Sequence, residues 1–156
     1  MRIRRTDDFG EQEQRRLSEF EFLQDRIKRN ILAVMGEQRV KRVVFLSAIG
    51  VGDSWPTVSW VFRAFIQLSN IKIGYADHNG VDALARKSDT DWTLVRAVGL
   101  NDKPAGALGP LHITEVGGAK PGTLNVTRAD VAAFCLDCVD KNAWIHRAPI
   151  LWNGKT

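Results

Sequence analysis

The chain has 156 residues, 44% of them hydrophobic and 26% charged, which is the size and composition of one ordinary globular domain. Its 22 basic and 18 acidic residues leave a net charge of +4, and both signs are interspersed through the first thirty positions, the pattern of a solvated face and not of a nucleic-acid surface. No stretch approaches the ~18 consecutive apolar residues of a membrane span, Met1 to Asp8 has no apolar run after its arginines, and Cys135 and Cys138 alone make no disulfide framework. A soluble, cytoplasmic protein is expected, without membrane or nucleic-acid partners.

Residues 1–12 read as an irregular lead-in. From Glu13 to Gln38 the apolar residues Leu17, Phe20, Leu23, Ile27, Ile31 and Val34 recur at three or four, which predicts a long amphipathic helix. Val43 to Ala48 is a short apolar run, rich in β-branched residues and followed by Gly50 and Gly52. Such a run predicts a strand buried on both faces, as in a parallel sheet. A loop is expected from Gly50 to Pro56, then a helix over 57–69 that faces a partner or acts as a lid. Trp55 and Trp60 there are either core residues or cover for a pocket or interface.

A helix is expected over 73–87 and a second buried strand over 92–98. Residues 99–122 hold six glycines and three prolines, so they predict a long loop with one short strand near 111–116. A further short strand is expected over 123–126. Thr127-Arg-Ala-Asp130 is a variant of the capping box, so a helix should run from there to about Val139. A last strand is expected over 148–152. Helices alternating with buried strands argue for an α/β fold with a mainly parallel sheet, although only the runs at 43–48 and 92–98 carry a strong core-strand pattern. Cys135-Leu-Asp-Cys138 has redox spacing but falls inside the helix, where small buried residues are the expected role. His112 and His146 stand at no usable spacing for zinc.

Five segments in order carry a likeness: Val40 to Val51, Tyr75-Ala-Asp-His78, Asp91-Trp-Thr-Leu-Val-Arg96, Asn101-Asp102, and Val126 to Phe134. Over about residues 23–152 the chain resembles the C-terminal half of the NAD(P)H-binding, NmrA-like branch of the atypical short-chain dehydrogenases/reductases. The resemblance implies an α/β fold: a partial Rossmann-like parallel sheet with flanking helices, lacking the N-terminal glycine-rich βαβ unit. It divides the chain into the lead-in at 1–12 and a truncated NAD(P)-binding domain at 13–156. The sequence has no Gly-x-x-Gly-x-x-Gly, the element that cradles a dinucleotide pyrophosphate.

By the same resemblance, Ser47, Tyr75 and His78 are the candidate catalytic residues, and Ser47, Ala48 and Arg96 border the cofactor, NADP or NAD. Ser47 is either a donor to a substrate carbonyl or a turn cap. Tyr75 stands where the family has its general-acid tyrosine, but Asn79 replaces the lysine four residues on. His78 is either a proton donor or shuttle, or an exposed helix histidine. Arg96 faces the cofactor or, more in keeping with its place, pairs with a carboxylate. The implied activity is reduction of a small carbonyl, quinone or flavin-like acceptor, with the cofactor grip compromised. The alternatives are a catalytically silent regulatory or binding protein and a truncated gene product. A small-molecule substrate is the expected partner, along with a homo-oligomer or partner protein covering the exposed edge of the strand at 43–48.

Overall fold

A computed structural model describes residues 30–154. The lead-in at 1–12 and most of the helix expected over 13–38 lie outside the described residues. What is described of that helix, α1, spans residues 30–37 and ends with Arg39 in the left-handed region at φ 56°.

Strand β1, Arg42–Ala48, runs parallel to β2, Asp91–Ala97, in continuous register from Arg42↔Asp91 to Ala48↔Ala97. Between them the chain makes a 3-10 turn at Gly52–Thr57, helix α2 at Trp60–Leu68 and helix α3 at Ile71–Lys87. After β2 come β3, Gly99–Asn101; β4, Leu111–Thr114; β5, Asn125–Thr127; helix α4, Arg128–Asp140; and β6, Ile150–Asn153. The main sheet has the order β1-β2-β6-β4, parallel except for β4 against β6, and β3 pairs with β5 in a parallel ribbon beside it.

The burial of β2 explains the order. Successive residues of a strand face opposite sides, so a strand buried along nearly its whole length, Thr93 and Arg96 included, needs cover on both. On one face, Trp92 and Leu94 pack with Val81 and Ala85 of α3 and with Phe45 of β1. On the other, Val95 and Ala97 pack with Val131, Phe134 and Cys138 of α4. Both cysteines are free, and burial pushes both thiols up, so the helix-interior reading of that pair holds.

Local chemistry sets the helix starts. The Thr127 hydroxyl accepts from the Asp130 amide at 3.0 Å, as the capping box implied. The helix expected from 57 starts instead at Trp60, because Pro56 closes the 3-10 turn and Ser59 caps α2 through the Phe62 amide. The carboxyl end of α4 is tied to β1 by the Arg42 guanidinium, which donates to the carbonyls of Cys138 and Ala143, both at 2.8 Å. Two short elements differ from expectation: β3 falls where only loop was expected, and the strand expected at 123–126 lies at 125–127. Among the described residues no helix is long and apolar enough to cross a membrane.

Candidate functional site

In an open parallel sheet, ligands sit beyond the carboxyl ends of the strands, where no pairing strand or helix fills the space. At that end of β1 the chain turns sharply at Gly50, φ 89°, and Gly52, φ 56°. The left-handed backbone favours glycine at both positions, and space is tight at Gly50 and tighter at Gly52. A Cβ on Gly50 would lie 3.3 Å from Tyr75 Cε1, and one on Gly52 would lie 2.9 Å from Asp82 Oδ2.

Helix α3 holds this loop down along one face. The Tyr75 hydroxyl donates to the Ile49 carbonyl at 3.0 Å, and one turn later Asn79 Oδ1 accepts from the Gly52 amide at 2.8 Å. Asn79, where the resemblance led to an expected lysine, is therefore a loop anchor. Ser54 completes the turn, accepting from the Gly50 amide and donating to the Val51 carbonyl.

Two turns beyond Tyr75, Asp82 meets Arg96 of β2. The Arg96 side chain is fully buried, and its Nη2 donates both to Asp82, at 2.8 Å, and to Asp53 of the 3-10 turn. Arg86 of α3 bridges the same two carboxylates, so four side chains close a ring of alternating charge. Of the two roles open to Arg96 from sequence, carboxylate pairing is the one its contacts display. Burial alone would raise the Asp53 carboxyl, but the Arg96 hydrogen bond and the charges of Arg96 and Arg86 outweigh it and hold it below its ordinary value of 3.8.

Ser47 lies across from Arg96 in the β1–β2 register, 4% exposed, and its hydroxyl has no hydrogen-bond partner among the described residues. Ala48 is half-buried as the last residue of β1, and His78 is half-buried on α3. Burial pushes the Tyr75 phenol above 10.0, so it stands as a protonated hydrogen-bond donor. Ser47 and Ala48 thus share the strand end with Tyr75, while Arg96 belongs to the ion ring beneath it.

A mainly apolar cavity of about 380 Å³ opens beside this strand end, lined by Ile49, Val58, Phe62, Pro121 and Leu124 with Lys120 at its rim. Phe62 brings α2 in as a wall of the cavity. Trp55 packs half-buried on the core, whereas Trp60 is 79% exposed and neither lines the cavity. Asp53, Asp82 and the anchoring role of Asn79 escaped sequence reading, since they act only once α3 has docked. The usable signal was the seven-residue spacing from Tyr75 to Asp82, which puts both on one helix face. Among the described residues no cluster of His, Cys, Asp and Glu is placed to hold a metal.

Residues 9–142 match the model of the NAD(P)H-binding family. The chain belongs to the NAD(P)H-binding family. No curated protein matches the sequence. Among solved structures, this NAD(P)H-binding chain is similar to ChuY from Escherichia coli, at 19% identity and a TM-score of 0.68, over 83% of this chain and 61% of that one. It is similar to a short-chain dehydrogenase/reductase from Veillonella parvula in complex with NADP, at 15% identity and a TM-score of 0.67, over 84% and 58%. It is also similar to the oxidoreductase ylbE from Lactococcus lactis, at 22% identity and a TM-score of 0.63, over 80% and 52%. These likenesses are of fold, and the Rossmann-like α/β architecture is the one the sequence led us to expect. The chain spans between 52% and 61% of the length of these structures.

Two outcomes follow from the site's electrostatics. Tyr75 is the single tyrosine of the sequence, so the phenolate absorbance of the folded protein reports it alone. Its midpoint should lie above 10.0 and return toward that value in denaturant; a folded-state midpoint below 10.0 would show that a cation acts on it. The depressed Asp53 carboxyl stabilises the fold fully above its unfolded value of 3.8, and that contribution is lost as pH falls through the still lower folded value. Asp53→Asn should therefore lower the melting temperature at pH 6, and the gap to the parent should shrink below pH 3.8. A gap that stays constant down to pH 2.5 would contradict the ring's role.

Proposed function

We propose that this chain provides the acceptor side of an NAD(P)H-dependent oxidoreductase that reduces a small carbonyl, quinone or flavin-like compound. The observation that carries the reading is the buried, unpartnered Ser47 hydroxyl at the end of β1, two residues before Ile49, which lines the apolar cavity. A buried hydroxyl without a partner is costly, and a carbonyl brought to it relieves that cost. The apolar lining suits a flat, weakly polar acceptor. ChuY, one of the folds this chain resembles, is described as an anaerobillin reductase, and another neighbour carries NADP.

In this reading the strand-end residues meet the nicotinamide end of the cofactor, and its pyrophosphate is held elsewhere. Amides that would have to cradle phosphate at the β1 turn are spent internally: Gly50 on Ser54, Gly52 on Asn79, and Val51 on the Ala48 carbonyl. The pyrophosphate is thus gripped by groups other than the β1 turn. When bound, the reduced nicotinamide supplies hydride. Ser47 donates to the acceptor's carbonyl oxygen and orients it. Tyr75 fixes the strand end through Ile49, and His78 assists proton delivery. Phe62 and Leu124 exclude water from the cavity.

A second reading, a catalytically silent binding protein of the same family, is favoured by one observation. Asn79 occupies the lysine position and is engaged by the Gly52 amide, so no ammonium lowers the Tyr75 phenol. Steady-state oxidation of NADPH with a small naphthoquinone separates the two readings. Turnover should require cofactor at or above about 1 mM, the regime of a few weak contacts, and Ser47→Ala should lower it about tenfold, the worth of one buried hydrogen bond. Saturation at micromolar NADPH would refute the weak grip. A complete lack of turnover, with quinone still binding, would favour the silent protein.

Strand β1 is an edge of the sheet among the described residues, and Leu46 on it is 47% exposed. An uncovered parallel edge invites pairing, so this reading includes a second copy or a partner along it. Size-exclusion chromatography with light scattering should return a dimer or larger species; a monomer at 100 μM would argue against self-association there.

A further inference from the structure

A second cleft, of about 200 Å³, opens on the α3 side of the sheet and shares no lining residue with the apolar cavity. Arg86, Arg96, Arg147 and His146 line it, with Asp53 and Glu115. Its character is set by hydrogen-bond donors. Each guanidinium carries five N–H bonds and no acceptor. Arg96 commits only Nη2, to Asp53 and Asp82, and its buried Nε and Nη1 have no acceptor among the described residues. A charged donor left in that state costs more than a neutral one, so the cleft has an unmet demand for acceptor oxygens.

The opposite wall is held in position at some expense. Asn142, Trp144 and His146 all take left-handed backbone conformations, at φ 47°, 60° and 57°. Non-glycine residues rarely adopt them, and three within five positions persist only because the surroundings enforce it. The His146 amide donates to the Trp92 carbonyl at 2.7 Å, its ring packs against Trp92, and Arg86 lies over the same indole at 5.2 Å from the ring centroid. Arg147 follows directly, with 60% of its side chain exposed, and its Nη1 donates to Glu115 at 2.6 Å.

We infer that this cleft binds a compact oxyanion, a phosphate or carboxylate group. The anion enters beside Arg147, takes the place of the Glu115 carboxylate there, and supplies the oxygen that Arg96 lacks. Guanidinium groups match such oxyanions in charge and in planar geometry, and the match is strengthened where water is excluded. A cation is disfavoured, because Asp53 is already shared between two guanidiniums and Glu115 is taken by a third. The site does not depend on nicotinamide binding, since none of its side chains borders the strand-end cavity.

Calorimetric titration of the full chain with inorganic phosphate, and separately with acetate, tests this against chloride at matched ionic strength. At least one should bind saturably in the millimolar range. Phosphate alone would assign the site to phosphate esters, and acetate alone to carboxylates. Arg147→Gln should weaken binding about tenfold, the worth of a charge-assisted hydrogen bond. Glu115→Gln, which removes the competing carboxylate, should tighten it several-fold. Neither substitution touches a buried side chain. Absence of saturation by both anions, or unchanged affinity in both variants, overturns the inference.

Discussion

A fully buried guanidinium cannot be left uncompensated, and in this chain that constraint organises everything around the strand end. Arg96 stands in a strand buried at all but its first residue, and its neutralisation uses one carboxylate from the turn after β1 and one from α3. Those two segments therefore dock in one relative position or not at all, since an unpaired charge there would cost several kcal/mol. Arg86 closes the ring from the solvent side. Once the ring is formed, Tyr75 and Asn79 fall into line on the same helix face, Gly52 is pressed against Asp82, and the Ile49 carbonyl is presented beside the apolar cavity.

The result is a site with two unlike halves. At the strand end lies an apolar cavity, with the unpartnered Ser47 hydroxyl buried on the adjoining strand and outside the cavity lining. On the α3 face, a donor-rich cleft suits an anion. The ion ring separates them, and Asp53 touches both the turn that shapes the first and the guanidiniums that line the second. The amides of the turn after β1 are consumed within the turn, at Gly50 and Val51, or by Asn79 of α3, at Gly52, so the anion proposed above is left to arginine side chains.

Legibility from sequence followed burial. The runs at 43–48 and 92–98 are dominated by apolar residues on both faces, with Ser47, Thr93 and Arg96 as their polar members, and both became strands within a residue of the expected limits. The helix at Arg128–Asp140 was readable because Thr127 and Asp130 bond each other locally, while the further bonds to Gly106 and Asn153 have no local signature. The β3–β5 ribbon was not, since three-residue strands have too few side chains to show a period and one of them begins with glycine. The candidate residues Ser47 and Tyr75 came from family likeness; Ser47 lies on β1, and the Tyr75 hydroxyl bonds the Ile49 carbonyl just beyond that strand. Asp53 and Asp82, which pair with Arg96, and Asn79, which holds Gly52, are ordinary surface types in isolation; beyond the seven-residue spacing from Tyr75 to Asp82, only tertiary docking gives them roles. The unpartnered Nε and Nη1 of Arg96 are likewise a property of packing and have no sequence signature.

The order of strands has a consequence for how the protein is made. Strand β6, at Ile150–Asn153, stands between β2 and β4 although it follows both in the chain. During vectorial synthesis β1 and β2 can pair as soon as α3 has emerged, but β4 has no strand to join until nearly forty residues later. The middle of the sheet is thus the last part delivered by the ribosome. Until it arrives, the outer side of β2 is an unpaired ladder and the α4 face lacks Ile150, Leu151 and Trp152 of its core. A nascent chain paused in that interval is the form most dependent on a chaperone, because its longest apolar strand is finished and its neighbour is not.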